Sequence, residues 1–127
     1  SQFMTEKKLT LGNLSPRRDL TYVEDTAQAF INALKINKKF NGKIVNLGTG
    51  KSFNVLDIID IVSRIFNKKL SITKNQNRIR PKNSEVLNLV ASNKEALKLL
   101  NWSPKYKGKK GLENGIKKTV DFLRNNK

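Results

Sequence analysis

The sequence predicts a small mixed α/β fold. Two observations carry this: short extended runs alternate with segments whose apolar residues recur at 3- and 4-residue steps, and Gly, Pro or Asn marks the junctions. A third is length, since 127 residues fit one domain spanning 1–127 with a modest core.

Taken in order, residues 1–8 read as the tail of a helix, with Phe3 and Met4 as its only apolar anchors. Leu9-Thr10-Leu11 predicts a short strand closed by Gly12-Asn13, and Ser15-Pro16 a turn before Arg17. Leu20 to Val23 is expected to be extended. The next run predicts a helix whose apolar stripe is Ala27, Phe30, Ile31 and Leu34, with Glu24 and Asp25 at the positive end of its dipole. Lys43 to Leu47 predicts a strand ending in Gly48-Thr49-Gly50, with Asn46 tying the strand end to a neighbouring loop.

Asn54 is the expected N-cap of a second helix, whose face is Val55, Ile58, Ile59, Val62 and Phe66. Leu70 to Thr73 and Glu85 to Val90 predict two more strands. Ser92 with Glu95 three residues on forms a capping-box pattern for a short helix. Trp102 is a core residue on this reading, and Gly111 to Arg124 makes a last helix with Leu112, Ile116, Val120 and Leu123 inward.

Composition narrows the chemistry. The chain has no cysteine and no histidine, so neither a disulfide nor a thiolate or imidazole metal site is expected. No apolar run is long enough to span a membrane, and the first residues lack the apolar core of a signal peptide; a cytoplasmic protein is expected. Lys and Arg number 26 against 10 acids, a net charge of +16. The lysines are scattered, but Lys68, Lys69, Lys74, Arg78 and Arg80 fall in a stretch without acids. A basic cleft for a diphosphate and a basic face for a polynucleotide both fit that stretch.

A dinucleotide site needs a Gly-rich turn between a strand and a helix, and no G-x-x-G-x-x-G occurs here. Tyr106 and Lys110 have the Tyr-x-x-x-Lys spacing but sit in a Gly- and Lys-rich stretch that does not read as helix. No catalytic, cofactor-binding or metal-binding residue is therefore expected in this chain.

Four segments, in order, carry a family resemblance. Arg18-Asp19-Leu20-Thr21-Tyr22-Val23-Glu24-Asp25 resembles the Arg-Asp-x-x-Tyr-Val-x-Asp signature of the extended short-chain dehydrogenases/reductases, in particular their nucleotide-sugar epimerases and dehydratases. Asn46-Leu47-Gly48-Thr49-Gly50 is similar to their Asn-x-Gly-x-Gly. Arg80-Pro81 with Ser84-Glu85-Val86 is similar to the Arg-Pro element before the last strand. Leu100-Asn101-Trp102-Ser103-Pro104 is similar to Leu-Gly-Trp-x-Pro.

The resemblance implies the substrate-binding part of an extended Rossmann-type enzyme, a small mixed sheet with packed helices, whose dinucleotide-binding half lies outside this sequence. It implies that Arg18 and Arg80 contact the diphosphate of a nucleotide sugar, as planar guanidinium forks suit. It implies that Glu85 accepts hydrogen bonds from the ribose, although it stands two residues later than the compact family spacing. Asn54 matches a polar residue at a helix start, where a phosphate contact and a simple cap are both open. Trp102 is packing on this view, Asp25 is structural, and Arg17 is a bystander.

In the full-length enzyme the resemblance implies NAD, bound by the other half, oxidising C4 of the sugar, and a homodimer. The Arg-Asp-Leu-Thr-Tyr and Ser-Glu-Val patterns look closest to 4,6-dehydratases acting on UDP- or GDP-linked (amino)sugars, with 4-epimerisation as the alternative. A small basic nucleic-acid-binding module is the rival of another class. It requires aromatics interleaved with basic residues, and here the aromatics fall mostly on apolar helical faces.

Overall fold

The computed structural model describes residues 8–36, 42–76 and 85–126. The expected helix tail over residues 1–8 thus lies outside them, except for Lys8. Among the described residues four helices and two small sheets form, and the chain packs into two compact units, each assembled from separated segments. One comprises Ser1–Arg18, Phe53–Leu89 and Ile116–Lys127; the other comprises Asp19–Ser52 and Val90–Gly115.

In the first unit, β1 (Lys8–Leu11) runs parallel to β4 (Ser71–Lys74), with Leu9 opposite Ile72. Asn75 N–H donates to Leu11 O at 2.8 Å and carries the ladder one residue further. Leu9 is buried, as its place in the sequence pattern requires. β2 (Arg17–Asp19) runs parallel to β5 (Asn88–Leu89) and is the middle strand of a sheet completed by β3 (Ser52–Phe53). Arg17 N–H to Leu87 O, 2.8 Å, opens this pairing. Of Leu20 to Val23, expected to be extended, Tyr22 is so (φ −73°, ψ 143°), but the strand is the three residues before Leu20, and Val23 already begins a helix.

α2 (Val55–Ile65) buries Ile59, Ile61 and Val62. Asn54 caps it: its side chain accepts Asp57 N–H at 2.8 Å, and Asp57 Oδ2 accepts Asn54 N–H at 2.9 Å. The helix ends without glycine, because Asn67 takes the left-handed conformation at φ 46°. Arg124 lies 5.1 Å over the Phe66 ring.

The second unit centres on α1 (Val23–Leu34) and α3 (Lys94–Leu100). Ala29, Ala96, Leu100 and Trp102 form its core, with Ala33, Ile36, Val45, Leu47 and Leu99 packed around it. This corrects the expected face of α1. Ala29 is 1% exposed, whereas Phe30 is 66% and Leu34 87% exposed. Alanine at 29 and 33 lets α1 lie close to α3, and the large residues are rotated off that contact.

Lys43 to Leu47 forms no ladder among the described residues. Its burial nonetheless alternates over 44–47 as in an extended segment, Val45 and Leu47 half-buried and Asn46 exposed, with Ile44 exposed despite its apolar side chain. The Ser92 capping box does not form; Asn93 is the N-cap, and its side chain makes no cap bond. α3 closes through left-handed Asn101, φ 48°, with Trp102 N–H bonding Ala96 O.

α4 (Gly108–Asn125) starts earlier than expected and buries Val120. Gly111 is required where it stands, because a Cβ there would lie 2.2 Å from the Tyr106 carbonyl carbon.

Candidate functional site

Strand β2 has a period of two, so Arg17 and Arg18 leave it on opposite faces and find different partners. Arg17 stands 3.7 Å from Asp57 Oδ2, the carboxylate that completes the Asn54 cap. Arg18 turns to the segment leading into β5. Its Nη1 donates to Val86 O at 2.7 Å and to Arg17 O at 2.9 Å. Its Nη2 lies 3.8 Å from Glu85 Oε1, an ion pair beyond hydrogen-bonding distance.

Glu85 is the more sequestered partner, its side chain 11% exposed against 34% for Arg18. Its other oxygen, Oε2, accepts from Asn13 Nδ2 at 3.1 Å. Asn13 Oδ1 in turn accepts Ser15 N–H at 3.1 Å, an Asx turn that fixes which end of the amide faces Glu85.

Two of the four residues singled out from sequence, Arg18 and Glu85, are therefore brought together. Asn54 performs the capping duty weighed for it, and both its backbone N–H and its side-chain oxygen are engaged there. Arg80 lies outside the described residues. Neither Asp19 nor Glu24 pairs with Arg18; its carboxylate partner is Glu85, 67 positions away in sequence.

Polar side chains also organise the second unit. Asp19 accepts Thr49 N–H (2.8 Å), Thr49 Oγ1 (2.6 Å), Gly50 N–H (2.9 Å) and Ala91 N–H (3.3 Å). Asn93 accepts Gly48 N–H at 3.0 Å and donates to Gly48 O, much as a neighbouring strand would. A Cβ on Gly48 would come within 2.5 Å of Ala91 Cβ. Asn46, expected to tie this strand end, is exposed, and Asn93 and Asp19 do that work. The only signal in the sequence was the turn itself: Thr49 and Gly50 N–H groups need acceptors wherever they are buried.

Asp25, buried, accepts Lys105 N–H (2.8 Å) and Tyr106 N–H (3.0 Å), and its carbonyl accepts Trp102 Nε1–H at 2.8 Å. Tyr106 is buried in the loop before α4, and its hydroxyl bonds Glu24 Oε2 at 3.0 Å. This unit also holds a cavity of about 240 Å³ lined mostly by apolar side chains of α1 and the 43–47 segment, Phe30 and Val45 among them. Among the described residues, no group of three or more acids could hold a metal ion, and no helix is long and apolar enough to cross a membrane.

The family model described as GDP-mannose 4,6 dehydratase matches residues 2–115. The chain belongs to this family, the nucleotide-sugar epimerases and dehydratases among the extended short-chain dehydrogenases/reductases. A UDP-glucuronate 4-epimerase of Thermodesulfobacterium geofontis is 32% identical over 116 residues, which is 91% of this chain and 32% of that protein. A dTDP-4-dehydro-6-deoxyglucose reductase of Escherichia coli is 26% identical over 114 residues, 90% of this chain and 33% of that protein. Among solved structures, a UDP-glucuronic acid 4-epimerase from Bacillus cereus, in complex with UDP-glucuronic acid and NAD, matches with a TM-score of 0.83 at 26% identity. That match covers 98% of this chain and 37% of the other. The chain thus spans about a third of the length of the relatives it matches. Its α/β architecture is that of the corresponding portion of this epimerase.

Proposed function

We propose that this chain is the nucleotide-anchoring part of a longer NAD-dependent nucleotide-sugar enzyme, with Arg18 on the diphosphate and Glu85 on the ribose. The observation that supports it most is the convergence of Arg18 and Glu85 across β2 and β5. A guanidinium offers paired donors to phosphate oxygens, and a carboxylate accepts from sugar hydroxyls, so the two side chains suit adjoining parts of one nucleotide. Arg80 joins the diphosphate contact on the same reading, while Asn54 stays with its helix.

The residues described do not fit NAD itself. Gly48-Thr49-Gly50 is, among the described residues, the turn that follows an extended segment in the way a pyrophosphate cradle does, and its Thr49 and Gly50 N–H groups are bonded to Asp19. NAD belongs, on this proposal, to a dinucleotide-binding part outside this chain, and the sugar chemistry with it. What this chain contributes is position: holding the nucleotide fixes where the sugar can reach.

For the reaction class, 4-epimerisation of a UDP-linked sugar is the preferred reading, because the relative at 32% identity and the solved structure at TM-score 0.83 are both UDP-glucuronate 4-epimerases. A 4,6-dehydratase is the second reading, favoured by the family model spanning residues 2–115. The test is product analysis of the longer protein supplied with UDP-glucuronic acid, UDP-glucose or GDP-mannose. A C4 epimer supports the first reading, a 4-keto-6-deoxy sugar the second. Turnover of none, with tight sequence-selective nucleic-acid binding at physiological salt instead, overturns both.

A further inference from the structure

We infer that Asn13 is a positioning residue that holds Glu85 away from Arg18 and so keeps the guanidinium available to a phosphate; the inference rests on reading Arg18 as the diphosphate contact. An arginine and a glutamate this close normally collapse into a bidentate pair with N–O distances near 2.8 Å. Here they do not. Glu85 makes its hydrogen bond to Asn13, at 3.1 Å, and stops 3.8 Å short of Arg18.

Neither neighbour is free to yield. The Asn13 amide is locked end-for-end by Ser15 N–H on its oxygen, so its Nδ2 must face Glu85. Arg18 is held from the other side, its Nη1 bonded to the Val86 and Arg17 carbonyls. Those two bonds leave Nη2 as an unspent donor among the described residues, with a carboxylate near enough to attract it and too far to consume it. A neutral amide is suited to this task. It engages one carboxylate oxygen without adding charge and leaves Oε1 open to a hydroxyl.

Removing Asn13 releases Oε2, and Glu85 then closes on Arg18. The closed pair competes directly with phosphate for the guanidinium. Nothing in the geometry makes Asn13 touch the nucleotide; it acts through Glu85.

The experiment measures the reactivity of Arg18 toward phenylglyoxal by peptide mass spectrometry, with Arg64 as internal reference, in the 127-residue chain without nucleotide. Asn13→Ala should slow modification of Arg18 severalfold. Asn13→Ser, which keeps an acceptor for Ser15 N–H but falls short of Glu85, should do the same and covers the case in which the alanine variant fails to fold. In a Glu85→Gln background neither change should slow it. Unchanged reactivity in Asn13→Ala and Asn13→Ser, or equal slowing with and without Glu85, overturns the inference.

Titration with UDP and GDP separates this from the functional reading. Arg18→Ala and Asn13→Ala should each weaken binding, the latter about fivefold, as the loss of one modest interaction requires. If Arg18→Ala binds as well as the unaltered chain, the nucleotide reading of the site fails while the reactivity result still decides the role of Asn13. If Arg18→Ala weakens binding and Asn13→Ala does not, the inference fails and the reading stands.

Discussion

The two compact units reach order by different means. The first relies on local amphipathic logic: a capped helix, α2, with aliphatic residues on one face, and short parallel strands. The second relies on three polar side chains, Asp19, Asp25 and Asn93, each of which binds backbone groups far away in sequence. Aliphatic faces tolerate substitution of similar volume, because burial is non-directional. A carboxylate holding several N–H groups does not, because each bond is directional and each orphaned donor is costly. Mutational sensitivity should therefore concentrate at few positions in the second unit and spread over many in the first.

The largest expected effect is at Trp102, which joins both modes: its ring lies in the core and its Nε1–H bonds Asp25 O. Trp102→Ala should cost about 4 kcal/mol in denaturant unfolding. Amide exchange should place the lost protection in Asp19–Ser52 and Val90–Gly115. Equal loss throughout would show that the units unfold as one and would break the comparison.

Asp25→Ala is a sharper probe, since it removes no large apolar group. Two backbone N–H groups, of Lys105 and Tyr106, lose their acceptor. A loss of about 3 kcal/mol is expected, with Asp25→Asn recovering part of it. A loss below about 1 kcal/mol in Asp25→Ala would mean that water replaces the carboxylate and that polar anchoring is not what distinguishes this unit.

The smallest effect belongs to the first unit. Asn54→Ala removes one cap bond from a helix whose stability comes from its buried face, and should cost about 1 kcal/mol. If it also weakens UDP binding as much as Arg18→Ala does, Asn54 serves the nucleotide as well as its helix.

The comparison also explains which features were legible in advance. α2 with its cap and the last helix follow from spacing, because each depends on neighbours within a turn or two of chain, while β1 and buried Trp102 follow from residue type although their partners are distant. Arg18 and Glu85 could be picked out as candidates by residue type and by their place in the family pattern. Their pairing could not, since it depends on β2 meeting β5 across some 70 residues. Arg80, singled out on the same grounds, falls outside the described residues and stays an expectation.

Sequence by itself thus determined most element types, the apolar face of α2 and the family, though not the expected strand at Lys43 to Leu47 or the buried face of α1. Tertiary structure alone decided that α1 buries Ala29 rather than Phe30, that the side chain at the N-cap of α3, Asn93, bonds Gly48 rather than its own helix, and that Asp19 turns to Thr49 and Gly50 rather than to Arg18. The physical reason is the same in each case. A hydrophobic stripe or a capping residue states only what a segment can offer, and periodicity along one segment cannot name its partner. Which offer is taken depends on the donors, acceptors and small side chains that distant segments bring to it, and hydrogen-bond direction and close packing then leave one arrangement.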